Sequence, residues 1–468
     1  MSPADGPDAR RCDLLVRDAL LVATVDDARR EIDGGWVAIA DGLVQAVGGP
    51  ADVMPDATRV LRAENCLVTP GLVNTHHHIY QNLTRSYRPA VNGTLFQWLT
   101  TLYPRWAYLD EEAAYVSAWV GVAELALGGC TTTTDHLYVH PRGAGDLISA
   151  EIRAAREVGV RFHPTRGSMS LSQKDGGLPP DSVVQDDDEI LAASERLVAE
   201  HHDRAWGAMV RIALAPCSPF SVTPELMRAT AELAERLDVR LHTHLAEDPD
   251  EDTFAEQTFG RRTIDQFEEV GWGSDRAWVA HCIYPNADEI ARMGRWGTGV
   301  AHCPSSNMLI GGGGIAPVPE FRAAGVPVGL GCDGSASTDS ASLWMEARNA
   351  LLLGRLRKGP ASMGARDALE IATRGSAGCL GRDDGELGQL AAGAAGDLVC
   401  WPLEGIQFAG ALSDPIEAWL RCGPVAARHT VVHGNVVVEN GALVASGAAE
   451  MLQRHRRISA RIQGIGTG

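Results

Sequence analysis

The chain has 468 residues, 45% hydrophobic and 22% charged, a globular composition that excludes a disordered chain. Its 60 acidic residues against 41 Lys and Arg give a formal charge of −19; such a field repels phosphate backbones and anionic lipid, so neither nucleic acid nor a membrane is expected as a partner. No apolar run reaches the ~18 residues that span a bilayer, the first eleven residues hold no apolar stretch of signal-peptide length, and the ten cysteines include no Cys-x-x-Cys pair, so a cytoplasmic chain with reduced thiols is expected.

Residues 14–16, 20–24, 36–39, 43–47 and 66–68 are short apolar runs separated by Asp, Gly and Pro, the pattern of strands. The texture then changes. Apolar runs at 72–75, 131–135, 160–164, 210–215, 239–244, 277–280, 299–302 and 328–332 are each followed by a polar cluster and a helical stretch. One such helix begins at Thr223-Pro224-Glu225, a good N-cap and first turn, with Leu226, Met227, Leu233 and Leu237 at helical spacing. Eight strand-then-helix units predict an α/β fold, a (β/α)8 TIM-like barrel over residues 70–384. The long insert after the first unit carries Tyr80, Tyr87, Phe96, Trp98, Tyr103 and Trp106 and is the most aromatic part of the chain. The run Gly311 to Gly314 reads as a loop, because it lacks the strand–turn–helix setting of a phosphate cradle.

Strand texture returns at 397–401, 430–432 and 435–438, with His433-Gly434-Asn435 as a turn. Two strand-rich ends around a different middle predict a small β-sandwich built from both, residues 1–69 with 385–445. Residues 446–468 form a tail in which 448–462 can make an amphipathic helix, packed on the barrel or on a partner.

In a parallel barrel the carboxyl ends of the strands form the active face. Here those ends carry His76-His77-His78, Asp135-His136, Thr165-Arg166, Cys217, His244, His281, His302 and Asp333, a concentration of the chain's 15 histidines. His76 and His78 are two apart at a strand end, so both point to one face while His77 points away. Such a pair is a two-point grip on a transition metal. With His244 and Asp333 it makes three imidazoles and a carboxylate, a set that suits zinc or ferrous iron and leaves room for water.

The segments Pro70-Gly71-Leu72-Val73-Asn74-Thr75-His76-His77-His78, His244-Leu245-Ala246-Glu247, His281-Cys282 and Leu330-Gly331-Cys332-Asp333-Gly334-Ser335 together resemble the amidohydrolase superfamily, and within it the cyclic-amidine deaminases and triazine hydrolases. The resemblance covers nearly the whole chain, including the split sandwich. It implies that His76, His78, His244 and Asp333 bind one divalent metal, zinc first and iron as the alternative. It also implies that Glu247 and His281 are the acid–base and polarising residues, and that the chain self-associates as a dimer or higher oligomer. Relatives that bridge two metals use a carboxylated lysine at the fourth strand; the only lysines here, Lys174 and Lys358, lie at no strand end, so a single metal is expected.

A metal can lower the pKa of water to about 7. Asp333 is then placed to accept the proton, His281 to orient the nucleophile, and Glu247 to carry a proton to a ring nitrogen. Candidate substrate-binding residues are Gln81, Tyr103, Trp106, Arg166, Cys217 and Asn307. Arg166 could donate a fork of hydrogen bonds to a ring carbonyl, or pair with a carboxylate such as Asp175. Cys217 stands where many related deaminases carry histidine, a departure that resembles the deaminases of 8-oxoguanine and isocytosine. The implied reaction is hydrolytic deamination of an amino-substituted keto heterocycle, 8-oxoguanine to urate and ammonia, with isocytosine deamination or s-triazine hydrolysis of the hydroxyatrazine type as the alternative. A metal-free binding protein on the same fold is the distant alternative; such chains lose ligands, and here all the candidate ligands are present.

Overall fold

A computed structural model describes residues 11–465; the outer ends of the two terminal segments, 1–10 and 466–468, lie outside the described residues. All eight expected barrel strands are present, as Leu72–Asn74, Cys130–Leu137, Arg161–Ser168, Ala213–Pro216, Arg240–Leu245, Ala277–His281, Gly299–His302 and Val328–Leu330. They pair in parallel, each with the next, and the last closes on the first through Leu330 and Asn74. Cys130–Leu137 is buried along its whole length: four consecutive β-branched threonines favour the extended backbone, and helices on one side with the barrel interior on the other cover both faces. The helix Pro224–Leu237 starts as expected, with Thr223 accepting from the Leu226 N–H and proline in the first turn.

The chain ends form two sheets. One has seven strands and interleaves N-terminal and C-terminal segments, with Cys66–Pro70 hydrogen-bonded to both Leu21–Ala23 and Leu398–Pro402. The other has four strands, Leu43–Gly48, Trp36–Ala40, Arg11–Arg17 and Asp56–Arg62, in that order. Their inner faces meet in one apolar cluster that includes Val16, Val22, Ile39, Val68, Leu398 and Val431. His433 and Gly434 both have positive φ, 48° and 76°, the two-residue hairpin geometry that matches strand twist. Glu31–Asp33 and Asp56–Arg62 also form strands; their side chains are mostly exposed, so they carry no apolar run for a sequence reading to find. Arg161, fully buried at the start of a barrel strand, pairs with Asp397, whose other oxygen accepts from the His433 N–H. That pair joins barrel and sandwich.

The insert after the first barrel strand folds as a short turn, Ile79–Thr84, and two helices, Leu95–Trp106 and Glu111–Leu127. Against it lies the C-terminal helix Ala448–Gln463, with Ile458 and Ile462 buried. His455 Nε2 donates to Asn82 Oδ1 at 2.8 Å and Ser459 Oγ to the Leu83 carbonyl at 2.7 Å, so this helix steadies the turn that follows His78. All ten cysteines are free, nine of them buried. No helix among the described residues is long and apolar enough to cross a membrane.

Candidate active site

Beyond the barrel, the ends of the first and eighth strands continue as a two-stranded parallel pair in which Asp333 sits opposite His77. The Asp333 N–H donates to the His76 carbonyl at 3.0 Å, and His77 Nδ1 donates to the Asp333 carbonyl at 2.5 Å. His77 is thereby spent on backbone. His76 and His78 face inward, with Nε2 atoms 3.2 and 3.4 Å from Asp333 Oδ1. His244 arrives from the fifth strand, its Nε2 3.1 Å from that of His78.

Hydrogen bonds fix the tautomers. A carbonyl oxygen only accepts, so the ring nitrogen facing one carries the proton. His78 Nδ1 faces the His136 carbonyl at 2.7 Å and His244 Nδ1 the Cys217 carbonyl at 2.6 Å. His242 Nδ1 donates to the Trp278 carbonyl at 2.9 Å, so its Nε2 accepts from His76 Nδ1 at 2.8 Å. All three rings therefore present unprotonated Nε2 atoms to the centre, and that of His76 is buried without a partner. Lone pairs 3.1 Å apart beside a carboxylate repel one another, and a cation reconciles them; the donor set fits a divalent metal. His76, His244, His281 and Asp333 each offer a donor atom within 4.8 Å of the others, as do His76, His78, His136 and His244. Burial holds the pKa of His76, His78 and His244 below the ordinary histidine value, the neutral form a ligand needs. Burial opposes ionisation of Asp333, but the imidazoles gathered around it, His76 first, outweigh it and keep its pKa well below the usual carboxylate range.

On the open side stand Glu247 and His281. His281 Nε2 lies 3.7 Å from Glu247 Oε1 and 3.9 Å from Asp333 Oδ2, while its Nδ1 donates to Asn307 Oδ1 at 2.8 Å. Burial pushes Glu247 up to about 7. Burial works against protonation of His281, but the Glu247 and Asp333 charges outweigh it and raise its pKa. A carboxyl that can hold or release a proton near neutrality, beside an imidazole, has the chemistry that acid–base catalysis requires. Ala246, His281, Cys282 and Asp333 all have positive φ, a left-handed conformation that costs side-chain-bearing residues roughly 1–3 kcal/mol each and gathers at functional sites.

The turn that carries Glu247 is held by Glu251, which sequence reading passed over. Its buried carboxylate accepts from the N–H groups of Ala246, Glu247 and Asp248 at 2.8, 2.9 and 3.4 Å. Glu251→Ala is expected to lower stability by about 2–4 kcal/mol, because buried N–H groups lose their acceptor, and to reduce kcat by misplacing Glu247. Glu251→Gln, which keeps an acceptor oxygen, should recover part of both. Melting curves with steady-state kinetics check this; unchanged kcat in the alanine variant would remove the positioning role.

The pocket above the centre is lined by Gln81, Tyr103 and Cys217 and by Leu95, Trp98, Leu99, Tyr138, Phe220, Ile310 and Ser337. Both polar atoms of the Gln81 amide are buried without a partner, leaving a donor and an acceptor for a ring edge. Gln81 fits only because residue 334 is glycine, where a Cβ would lie 1.8 Å from Gln81 Oε1. Burial raises the Cys217 thiol to about 12, so it is a neutral wall, not a nucleophile. Leu95, Trp98, Leu99, Leu102, Tyr103 and Trp106 are the buried face of one helix; their 3–4 spacing was the available signal for this apolar roof.

Three expected substrate contacts are placed differently. Arg166 is buried, but its guanidinium reaches Gln185 Oε1 at 2.6 Å, His140 Nε2 at 2.8 Å and the Gly167 carbonyl. It lines a separate cavity behind the second and third strands; the strand's alternation turns it away from the centre. It does not pair with Asp175, which binds Ser172. Trp106 lies fully buried behind the roof, donating to Thr84 Oγ1 at 3.1 Å and standing edge-on to Tyr103 and Tyr80, so it supports Tyr103 rather than stacking on a ligand. Asn307, on the helix Pro304–Ile310, backs His281 instead of lining the pocket.

An amidohydrolase family model matches residues 67–437. The chain is 49% identical over 442 residues to 8-oxoguanine deaminase of Pseudomonas aeruginosa, covering 94% of this chain and 97% of that one. It is 38% identical to hydroxydechloroatrazine ethylaminohydrolase of Pseudomonas sp. strain ADP, covering 90% and 89%. Among solved structures, atrazine chlorohydrolase of Arthrobacter aurescens complexed with zinc superposes with a TM-score of 0.90 at 33% identity, covering 95% of this chain and all of the other.

Proposed function

The chain belongs to the amidohydrolase family, and from that membership we propose that it is a metal-dependent deaminase converting 8-oxoguanine and water to urate and ammonia. It is a hydrolase acting on C–N bonds of cyclic amidines. The observation that carries the reading is the convergence of three neutral imidazoles, one carboxylate and the Glu247–His281 pair under a pocket lined by Gln81 and Tyr103.

We assign His76, His78, His244 and Asp333 as ligands of one divalent cation, zinc as in the solved relative. A cation in this cradle supplies the Lewis acidity that makes water nucleophilic near neutral pH. Asp333 Oδ2 takes the proton of the attacking water. His281, its ring fixed through Nδ1 by Asn307, directs Nε2 at the incoming oxygen. Glu247 Oε1 delivers a proton to the ring nitrogen next to the attacked carbon, which makes that carbon electrophilic. Asp333 passes its proton to the exocyclic amino nitrogen, the C–N bond breaks and ammonia leaves, and the hydroxyl proton of the adduct returns to Glu247 as the ring carbonyl forms. Gln81 reads the ring edge, while Tyr103 and the apolar roof exclude bulk water. The free, mostly buried cysteines fit a reducing cytoplasm.

Ammonia release from the metal-loaded enzyme, measured on 8-oxoguanine, isocytosine and hydroxyatrazine, tests the substrate. The highest kcat/KM is expected on 8-oxoguanine. Turnover of the triazine alone overturns the assignment in favour of an s-triazine hydrolase, the reading that the 38% identical relative supports.

A further inference from the structure

The opposite, amino-terminal end of the barrel holds a further cavity, about 350 Å³ in volume. Its walls are the starts of strands three to six and bring together His163, His202 and four arginines, Arg240 among them, with the carboxylates Asp238 and Asp275. Arg276 is spent on Asp238 at 3.1 Å and Arg211 on Glu386 at 3.2 Å. Arg240 is not. Its Nε is buried with no hydrogen-bond partner, and the acids nearest in influence, Asp275 and Asp383, act on it only through space. His163, 1% exposed, is in the same condition at Nδ1. His202 also lines the cavity, its Nδ1 engaged by the Ile212 backbone, 3.0 Å from the N–H and 3.2 Å from the carbonyl.

Asp238 is engaged by Arg276, and among the described residues no carboxylate is paired with Arg240; leaving a sheltered guanidinium without a partner is costly, and an anion there removes the cost. We propose that this cavity binds a tetrahedral oxyanion, a phosphate group, through Arg240 and His163. The donors come from strands five and three. Donors on several sides suit a tetrahedral anion, whereas a planar carboxylate takes them along one edge. The site lies at the far end of the barrel from the metal cradle and takes no part in deamination.

The test uses the full-length, metal-loaded enzyme, titrated with inorganic phosphate against chloride at matched ionic strength, with thermal melting and isothermal calorimetry as readouts. A saturable rise in Tm is expected, as for any ligand that binds only the folded state. Arg240→Gln should lose that rise and weaken binding at least ~10-fold, the charge-assisted fork being gone, while ammonia release stays at the wild-type rate. His163→Asn serves as a second, smaller change and should weaken binding in the same direction. A nucleoside 5′-monophosphate forms another arm: tighter binding than phosphate makes a nucleotide the source of the group, equal or weaker binding makes it free phosphate. Absence of saturable binding overturns the proposal. So does binding that both variants retain, or that inhibits turnover alike in the wild-type and Arg240→Gln enzymes, since phosphate then sits at the metal.

Discussion

Glu247→Gln is expected to reduce kcat by about 10²–10⁴-fold, the range that a positioned acid or base contributes, with the metal content of the protein unchanged. The amide has the size and the hydrogen-bonding edge of the carboxyl but cannot release a proton, so the variant isolates proton delivery from packing. Glu247 is 14% exposed, lies 3.7 Å from His281 Nε2 and is not among the metal-ligating groups; its loss should leave the ligand cradle intact. The pH dependence gives a second readout. Burial lifts Glu247 to about 7, and the form that donates is the protonated one. The wild-type kcat/KM should therefore hold below pH 7 and fall as pH rises through it, and the glutamine variant should lack that falling limb. Activity within about tenfold of wild type, or an unaltered limb, would show that another group carries the proton.

Much of this centre was legible in the chain because barrel geometry turns sequence position into spatial position. A residue at the carboxyl end of a barrel strand reaches the active face whatever its distance along the chain, so His76, His244, His281 and Asp333 could be gathered from eight apolar runs. Strand alternation separated His77 from its neighbours, and the structure spends His77 on the Asp333 carbonyl. The same alternation applied to Arg166 turns it outward, where its side chain meets Gln185. Residues that act through loops and turns were less legible. Asn307 and Glu251 act on other residues, and nothing in their local sequence marks the carboxylate that catches three N–H groups of a turn. In the sandwich, Asp56–Arg62 is held by backbone pairing with Arg11–Arg17, so its exposed side chains leave no apolar pattern.

The ligand assignment carries the largest consequence: His244→Ala should abolish both metal binding and turnover. His244 Nε2 is one of three unprotonated nitrogens at the centre, its ring held in place by the bond from Nδ1 to the Cys217 carbonyl. The informative comparison is His242→Ala. His242 touches the centre only through His76, whose Nδ1 it accepts from at 2.8 Å; losing a group that merely orients a ligand costs metal affinity ~10–100-fold. Elemental analysis after dialysis, followed by zinc titration of turnover, should then rank the variants. His242→Ala should recover activity at raised zinc, whereas His244→Ala should stay inactive at every concentration. Cavity effects alone do not produce that ranking, since both changes remove the same imidazole from a buried position and the more deeply buried of the two is His242. Full metal occupancy and activity in His244→Ala would dissolve the proposed cradle, and with it the reason for three such rings to share one tautomer.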